Sequence, residues 1–370
     1  MKRILLSGGG TGGHIYPALA IARAVRKRFP DVEIAYIGTE NGLESRIVPK
    51  EGNIRFYTVE IQGFKRSVSW ENVRTIRKFL QAVRKSKQYL REFKPNVVVG
   101  TGGYVSGPAV YAAHQMGIPT LIHEQNVVLG LTTKFLSRFV DVIAISLEES
   151  QKYLSRANRI VFTGNPRATE VVQANAVLGR KSLGIKDSHK PIILFCGGSR
   201  GARVINEAVL QMIPEMKKMP EVHFVYVTGE VHYEKIRSQI QADEIPNLEV
   251  KPFIYNMPDV LSATYLLVGR AGASTLAELT ALGLPSILIP SPYVTNNHQE
   301  ANARWLEEQG ASKMLLESEC NAENLWREVK RLIENKEEHH AMSEAASRLG
   351  RPHAAEVLVD ELEKIAFIQV

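Results

Sequence analysis

The sequence predicts an α/β protein of two doubly wound domains, each a parallel sheet wrapped by helices. Three observations point there. Short apolar runs alternate with helical periodicity, the pattern of right-handed strand–helix–strand crossovers. A strand-like run feeding a glycine cluster occurs twice, at residues 3–13 and 192–201. The length of 370 residues exceeds one ordinary domain and suits two.

In the first half the strand-like runs are residues 3–6, 33–37, 54–59, 97–99, 120–123, 140–145 and 160–163. Helical patterns cover 18–29, 73–93 and 106–116 between them. The second half starts afresh at 192–196, behind Pro191, and continues through 223–228, 248–253, 265–268, 286–289 and 313–315. Helical runs at 322–335 and 354–365 close the chain. The expected boundary falls at Gly164-Asn165-Pro166, dividing 1–164 from 165–352. Ligands in such folds bind beyond the carboxyl ends of the strands. The site is therefore expected in the cleft between two facing domains.

Composition narrows the class. Hydrophobic residues at 44% and charged residues at 23% fit a folded globular chain, not a disordered one. Cys196 and Cys320 alone make no disulfide framework and suit a reducing compartment. The opening MKRILLSGGGTGGH reads as a first strand entering a turn, not as a signal peptide. The longest stretch without Asp, Glu, Lys or Arg, residues 95–123, is broken by glycines and prolines and lacks the apolar run of a membrane span. Charge is uneven: residues 1–165 carry 24 Lys and Arg against 12 Asp and Glu, the remainder 22 against 27. Nucleic acid, an anionic membrane surface or a phosphorylated substrate would each suit the basic half.

Several motifs carry competing readings. Residues 8–13 satisfy G-x-G-x-x-G at a strand-to-helix turn, where exposed N–H groups attract phosphate. The ribose-binding acid expected at the end of the second strand is missing; Ile37-Gly38-Thr39 stands there and Glu40 comes late. Glycines that merely close a tight turn would look the same. Gly197-x-Ser199-x-Gly201 matches the nucleophile elbow of hydrolases, but nothing marks Asp259 or His298 as its partners. Thr11 in the twin turn favours two anion cradles instead. No G-K-[ST], H-E-x-x-H, D-x-D or C-x-x-C occurs, so the sequence predicts neither a metal nor another cofactor. Thr275-x-x-Glu278 reads either as a helix-capping box or as a carboxylate for ribose hydroxyls beside the small residues 271–274.

Taken together, GGGTGGHIYPALA at 8–20, TGGYVSGP at 101–108, HEQN at 123–126, GNPR at 164–167, GGSRGAR at 197–203, AGASTLAE at 271–278 and PYVTNNHQEANA at 292–303 resemble the MurG-type N-acetylglucosaminyltransferases of peptidoglycan synthesis. The resemblance spans nearly the whole chain, with the blocks in order. It implies a GT-B fold in which 1–164 is the acceptor and membrane-side domain, 165–352 binds UDP-GlcNAc, and 353–370 returns to the first domain. It implies inverting transfer of N-acetylglucosamine to the muramoyl 4-hydroxyl of undecaprenyl-diphosphate-linked muramoyl-pentapeptide. Thr11, Gly12 and Gly13 would border the transferred sugar, with Asn126 nearby. Arg167 and Ser199 would lie near the diphosphate and the Ile254 backbone near uracil. Ala273, Ser274, Thr275, Leu276 and Glu278 would line the nucleotide, with Glu278 on the ribose. Gln299 would hold the donor sugar, although some relatives carry two glutamines where this chain has His298-Gln299, and either could meet a hydroxyl. Tyr104, His123 and Glu124 are acceptor-side candidates.

The chemistry these residues suggest needs a base for the attacking hydroxyl. His14, with an unperturbed imidazole pKa of about 6.5, suits that role, with His123 and Glu124 as runners-up. A histidine that only fills a helix start is the plainer alternative. Other functions on the same fold are a UDP-GlcNAc 2-epimerase and a non-catalytic sugar-nucleotide sensor. A lipid-linked acceptor without a spanning segment implies peripheral binding to the cytoplasmic face of the membrane, and no nucleic-acid partner. Residues 64–94 hold ten Lys and Arg, including Lys65 and Arg66, interleaved with Phe64, Val68, Trp70 and Phe79. They would meet anionic lipid. Alternatively Val73, Ile76, Leu80, Val83 and Leu90 form a helical stripe that faces the core.

Overall fold

The computed structural model describes every residue except 64–69, 156, 186, 188, 199, 241–244 and 368–370, and leaves out the side chains of 70–72. The chain divides into two compact units, Met1–Arg167 with His353–Val370, and Ala168–Pro352. Asn165, Pro166 and Arg167 thus belong to the first unit, three residues beyond the sequence-based boundary. Among the described residues no helix is long and apolar enough to cross a membrane.

The first unit runs β1 (Arg3–Ser7), α1 (Gly12–Arg28), β2 (Glu33–Gly38), α2 (Glu44–Ile47), β3 (Ile54–Thr58), α3 (Trp70–Phe93), β4 (Val97–Gly100), α4 (Ser106–Gln115), β5 (Thr120–Glu124), α5 (Leu131–Leu136), β6 (Val142–Ile145) and β7 (Ile160–Phe162). Its seven strands lie in the order β3-β2-β1-β4-β5-β6-β7 and pair in parallel. The second unit holds α7 (Ala176–Ser182), preceded by the short α6 (Arg167–Val171) at the junction. It continues with β8 (Ile192–Cys196), α8 (Arg203–Met216), β9 (His223–Val227), α9 (Glu230–Arg237), β10 (Leu248–Lys251), α10 (Met257–Ala263) and β11 (Leu266–Gly269). Then come α11 (Ala273–Leu282), β12 (Ser286–Leu288), α12 (His298–Glu308), β13 (Lys313–Met314), α13 (Ala322–Glu334) and α14 (Lys336–Leu349). Its order is β10-β9-β8-β11-β12-β13, again parallel. α15 (Ala354–Ala366) closes the chain in the first unit.

Each sheet is covered on both faces, which is why its strands are continuous apolar runs. In the first unit Ile4 and Leu6 point to one core and Leu5 to the other. Leu358, Val359, Leu362 and Ile365 of α15 join the core that α1 covers, and Arg28 meets Asp360 at 3.1 Å. Strand order reverses direction between β1 and β4, and between β8 and β11. Such switch points leave a crevice at the carboxyl ends of the strands. Ser7 pairs with Gly100 and Gly100 with Ile122, so the residues that follow β1, β4 and β5 emerge side by side.

α1 and α3 depart from expectation in ways that bear on the site. α1 begins at Gly12, not at residue 18, because Ile15, Ala18, Leu19 and Ala22 supply a buried face strong enough to carry two glycines and Pro17 in the opening turns. The apolar stripe of α3 divides. Val83 and Leu90 are buried, but Val73, Ile76 and Leu80 are 57%, 50% and 53% exposed.

Candidate functional site

In the first unit the glycine turn after β1 meets the loops after β4 and β5. His14 stands at the third helical position of α1. Its Nδ1 lies 3.0 Å from the Gly9 carbonyl oxygen, with Thr11 Oγ1 at 3.2 Å. A carbonyl only accepts, so Nδ1 carries the proton and the neutral ring's lone pair is on Nε2. Gly102 and Gly103 adopt φ of +102° and +76° against this ring, and a Cβ on Gly102 would come within 2.8 Å of His14 Cδ2. Thr101 Oγ1 donates to the His14 carbonyl at 2.7 Å. Gly12 is partly exposed and Thr11 and Gly13 exposed at the helix start. The Thr11 side chain makes no capping bond.

His123 is buried and both its ring nitrogens are engaged. Nε2 donates to the Gly164 carbonyl at 3.0 Å, with Ser146 Oγ at 3.3 Å, and Gln125 Nε2 donates to Nδ1 at 3.1 Å. Burial pushes its pKa below the ordinary imidazole value. With both nitrogens held inside the fold, His123 has the geometry of a structural group rather than of a base or an acceptor contact. Glu124 is also redirected. Its Oε1 accepts from the Gln125 and Asn126 N–H groups at 3.0 and 3.1 Å and from Asn126 Nδ2 at 3.3 Å, and its Oε2 from Gly130 N–H at 3.1 Å. The carboxylate shapes the loop that presents Asn126. Tyr104 is partly exposed beside Gly10, its hydroxyl pKa raised by burial and then by Glu44. The Arg167 guanidinium lies 5.7 Å over the Tyr16 ring of α1.

In the second unit the turn after β8 is made by Gly197, Gly198 and Gly201. Gly201 N–H donates to Gly198 O at 2.9 Å, and a Cβ on Gly201 would meet Thr228 O at 2.0 Å. Ser199, called from the sequence, lies outside the described residues. α11 is capped by Gly272, and no side chain caps it. Thr275 and Glu278 therefore do not form the expected capping box. They occupy the first two turns, with Glu278 7% exposed. The Ser274 hydroxyl is buried without a partner among the described residues. Ala273 and Thr275 are half-buried, and Leu276 is buried. The Ile254 peptide N–H and C=O, after β10, make no hydrogen bond to the described residues. Gln299 Oε1 accepts from Ser291 N–H at 2.9 Å, leaving its amide NH2, whereas His298 Nδ1 is spent on the Thr295 carbonyl at 2.7 Å. Neither nucleophile-elbow partner is supported: Asp259 Oδ1 accepts from Asn175 N–H at 2.9 Å. Among the described residues no group of three His, Cys, Asp or Glu is arranged to hold a metal.

Three residues of these sites were not singled out from the sequence. Glu44 reaches the first glycine turn from α2, Gln125 bridges His123 and the Thr101 carbonyl at 2.7 Å, and Asn302 of α12 donates to the Ala271 carbonyl at 3.3 Å. Gln125 lies inside HEQN and Asn302 inside PYVTNNHQEANA. Glu44 had only its place four residues after Glu40.

The fold and these sites define the class. Residues 4–145 match the family model for the glycosyltransferase family 28 N-terminal domain, and residues 192–358 that for the C-terminal domain. The chain is 54% identical over 366 residues to a Halalkalibacterium halodurans protein named UDP-N-acetylglucosamine--N-acetylmuramyl-(pentapeptide) pyrophosphoryl-undecaprenol N-acetylglucosamine transferase, covering 98% of this chain and all of that one. It is similar to the crystal structure of Acinetobacter baumannii MurG, at 29% identity and a TM-score of 0.77, over 98% of this chain and 100% of that one. A Neisseria meningitidis UDP-GlcNAc 2-epimerase shares the fold at 17% identity and a TM-score of 0.70, over 98% and 100%. The chain belongs to glycosyltransferase family 28, among the MurG-type N-acetylglucosaminyltransferases.

Proposed function

We propose that the protein transfers N-acetylglucosamine from UDP-GlcNAc to the muramoyl 4-hydroxyl of lipid-linked muramoyl-pentapeptide, with inversion, in peptidoglycan synthesis. The observation that carries the mechanism is the held tautomer of His14. Its Nε2 takes the proton of the attacking hydroxyl while the new O–C1 bond forms and the bond from C1 to the diphosphate oxygen breaks, releasing UDP. Thr11, Gly12, Gly13 and Asn126 border the sugar. Arg167, the turn around Ser199 and the start of α11 take the charge that develops on the diphosphate. Glu278 takes the ribose, the Ile254 backbone the uracil edge, and the Gln299 amide or the His298 ring a sugar hydroxyl. Tyr104 faces the acceptor.

The acceptor's lipid anchor places the enzyme on the cytoplasmic face of the membrane, peripherally. The exposed Val73, Ile76 and Leu80 of α3 support this reading, flanked by exposed Arg74 and Arg77. Phe135 of α5, exposed as well, meets Phe79 edge-on at 5.7 Å. Residues 64–69, including Phe64, Lys65, Arg66 and Val68, and the side chain of Trp70 lie outside the described residues. Each well-placed cation contributes about 1 kcal/mol on an anionic bilayer.

The test of the reaction is incubation with UDP-GlcNAc, with and without a lipid I analogue. UDP release that depends on the acceptor is expected. UDP-ManNAc formation would replace the reading by epimerisation, and binding without turnover by a sensor. For the membrane, co-sedimentation with vesicles should rise with anionic lipid and fall with salt. Ile76→Ser with Leu80→Ser should weaken it while leaving turnover of a soluble acceptor analogue intact. Equal binding of both proteins would move the contact elsewhere.

A further inference from the structure

The Gly9–Gly10 peptide unit is gripped from both sides. Its carbonyl oxygen accepts from His14 Nδ1 at 3.0 Å, and its N–H donates to Glu44 Oε2 at 3.2 Å. Glu44 is fully buried. Its Oε1 accepts from Thr39 N–H at 3.0 Å and from Thr39 Oγ1 at 2.6 Å, and no lysine or arginine among the described residues pairs with it. A Cβ on Gly9 would lie 2.7 Å from Glu44 Cδ, and one on Gly42 2.3 Å from Oε1. Glycine at both positions lets the carboxylate reach the peptide. A buried carboxylate without a cation is costly to keep, and a neutral side chain would close the same loop.

We propose that Glu44 is a positioning residue for His14, acting through the Gly9–Gly10 peptide as a carboxylate–peptide–imidazole relay. Hydrogen bonds in series polarise one another. The carboxylate draws the Gly10 N–H, which raises the negative charge on the Gly9 oxygen and tightens its hold on His14 Nδ1–H. The imidazolium that forms when Nε2 takes a proton is stabilised in turn. In the familiar serine-protease triad the carboxylate touches the imidazole directly. Here a peptide stands between them. The relay also answers a local problem: His14 lies in the first turn of α1, where the helix dipole disfavours a cation. Among the described residues Thr11 of the turn, Tyr36 of β2, whose hydroxyl donates to the Gly8 carbonyl at 2.6 Å, and Tyr104 after β4 also face the pair. The bound carboxylate further means that the Gly10 N–H is not open to a phosphate.

This inference rests on His14 being the base, and the experiment separates the two. Steady-state rates of the full-length protein with UDP-GlcNAc and a lipid I analogue are compared for the wild type, Glu44→Gln, His14→Ala and the double variant. Glu44→Gln keeps the shape and removes the charge. It should lower kcat about 10- to 100-fold, the range for an outer partner that orients a histidine, with the donor KM unchanged. The acidic limb of its pH–kcat profile should move to lower pH, because the imidazolium has lost its anion. In the His14→Ala background the same change should add nothing. Equal losses in both backgrounds with an unmoved acidic limb would overturn the relay in favour of a loop-shaping role. Should the melting temperature show that Glu44→Gln does not fold, Thr39→Val, which deletes the 2.6 Å bond, takes its place. Its loss of kcat should likewise vanish in the His14→Ala background, and a loss indifferent to that background overturns the relay. A wild type that releases no UDP sinks the transferase reading itself, whereas normal wild-type turnover with an unaffected Glu44→Gln sinks only the relay.

Discussion

The glycine turn after β1 and the one after β8 occupy the same place in the same topology, and their surroundings differ. The first is filled by the protein's own groups: Glu44 on the Gly10 N–H, His14 on the Gly9 carbonyl, and Gly103 so close that a Cβ would lie 2.2 Å from that oxygen. The second is tied down at Gly201 but open at Gly198, whose φ is +90° and whose Cβ would meet nothing within 4 Å. Beside it α11 starts with small residues and a hydroxyl without a partner among the described residues. One scaffold element thus serves two ends. Internal hydrogen bonds and close packing fix the side chains of the first turn, and the empty space beside Gly198 keeps room at the second.

The contrast can be broken by four measurements. The largest effect is expected at His14. His14→Ala should lower kcat by about 10²–10⁴, the usual contribution of a general base, while UDP-GlcNAc affinity stays put. Near-normal turnover would show that the filled turn holds no base. Next come the glycines themselves. Gly103→Ala combines a left-handed backbone with a collision at the Gly9 oxygen and should cost about 2–5 kcal/mol in urea unfolding. Gly198→Ala bears the backbone strain alone, about 1–2 kcal/mol. Equal costs would mean that the two turns are packed alike. Third, Glu278→Ala should raise the KM for UDP-GlcNAc with kcat little changed, by the equivalent of about 2–3 kcal/mol for lost charge-assisted hydrogen bonds. A lower melting temperature with an unchanged KM would make Glu278 a packing residue.

The smallest effect is on acid stability. Burial holds His123 in the first unit, and His223 and His339 in the second, below the ordinary imidazole value of about 6.5. The unfolded chain therefore takes up protons first as pH falls. Stability from these groups is complete above pH ~6.5 and declines below it, towards their folded values. For the fully buried His123 the slope is at most about 1.4 kcal/mol per pH unit. The half-buried pair contributes less. Urea midpoints at pH 7.5 and 5.5 check this, and a midpoint that rises on acidification would contradict it.

How far the sites could be read from the residues follows from the reach of each signal. The glycine turns, the strands and the small-residue start of α11 are local patterns, each complete within about ten residues. Glu278 was visible as a carboxylate, but its two readings diverge only once Gly272, not Thr275, is seen to cap the helix. His14 and His123 look equivalent as letters. Their roles separate because Gly164, 41 residues beyond His123, takes its Nε2, while Gly9, five residues before His14, takes Nδ1 instead. The stripe of α3 kept its 3.6-residue period, yet periodicity does not say how far along a helix the core extends, and Val73, Ile76 and Leu80 lie beyond it.

By itself, the sequence determined the two doubly wound units, the two glycine-rich strand-to-helix turns and the family, because each rests on local spacing or on blocks of residues in order. The tertiary structure alone decided which ring nitrogen of each histidine a carbonyl takes, that Glu124 shapes a loop, and that Glu44 closes the first turn. The physical reason is separation along the chain. Glu44 and Gly10 are 34 residues apart and meet because β1 and β2 pair in parallel, Ser7 against Ile37, bringing the loops beyond both strands to one edge. A hydrogen bond of that range has no period and no motif, and exists only once the sheet has formed.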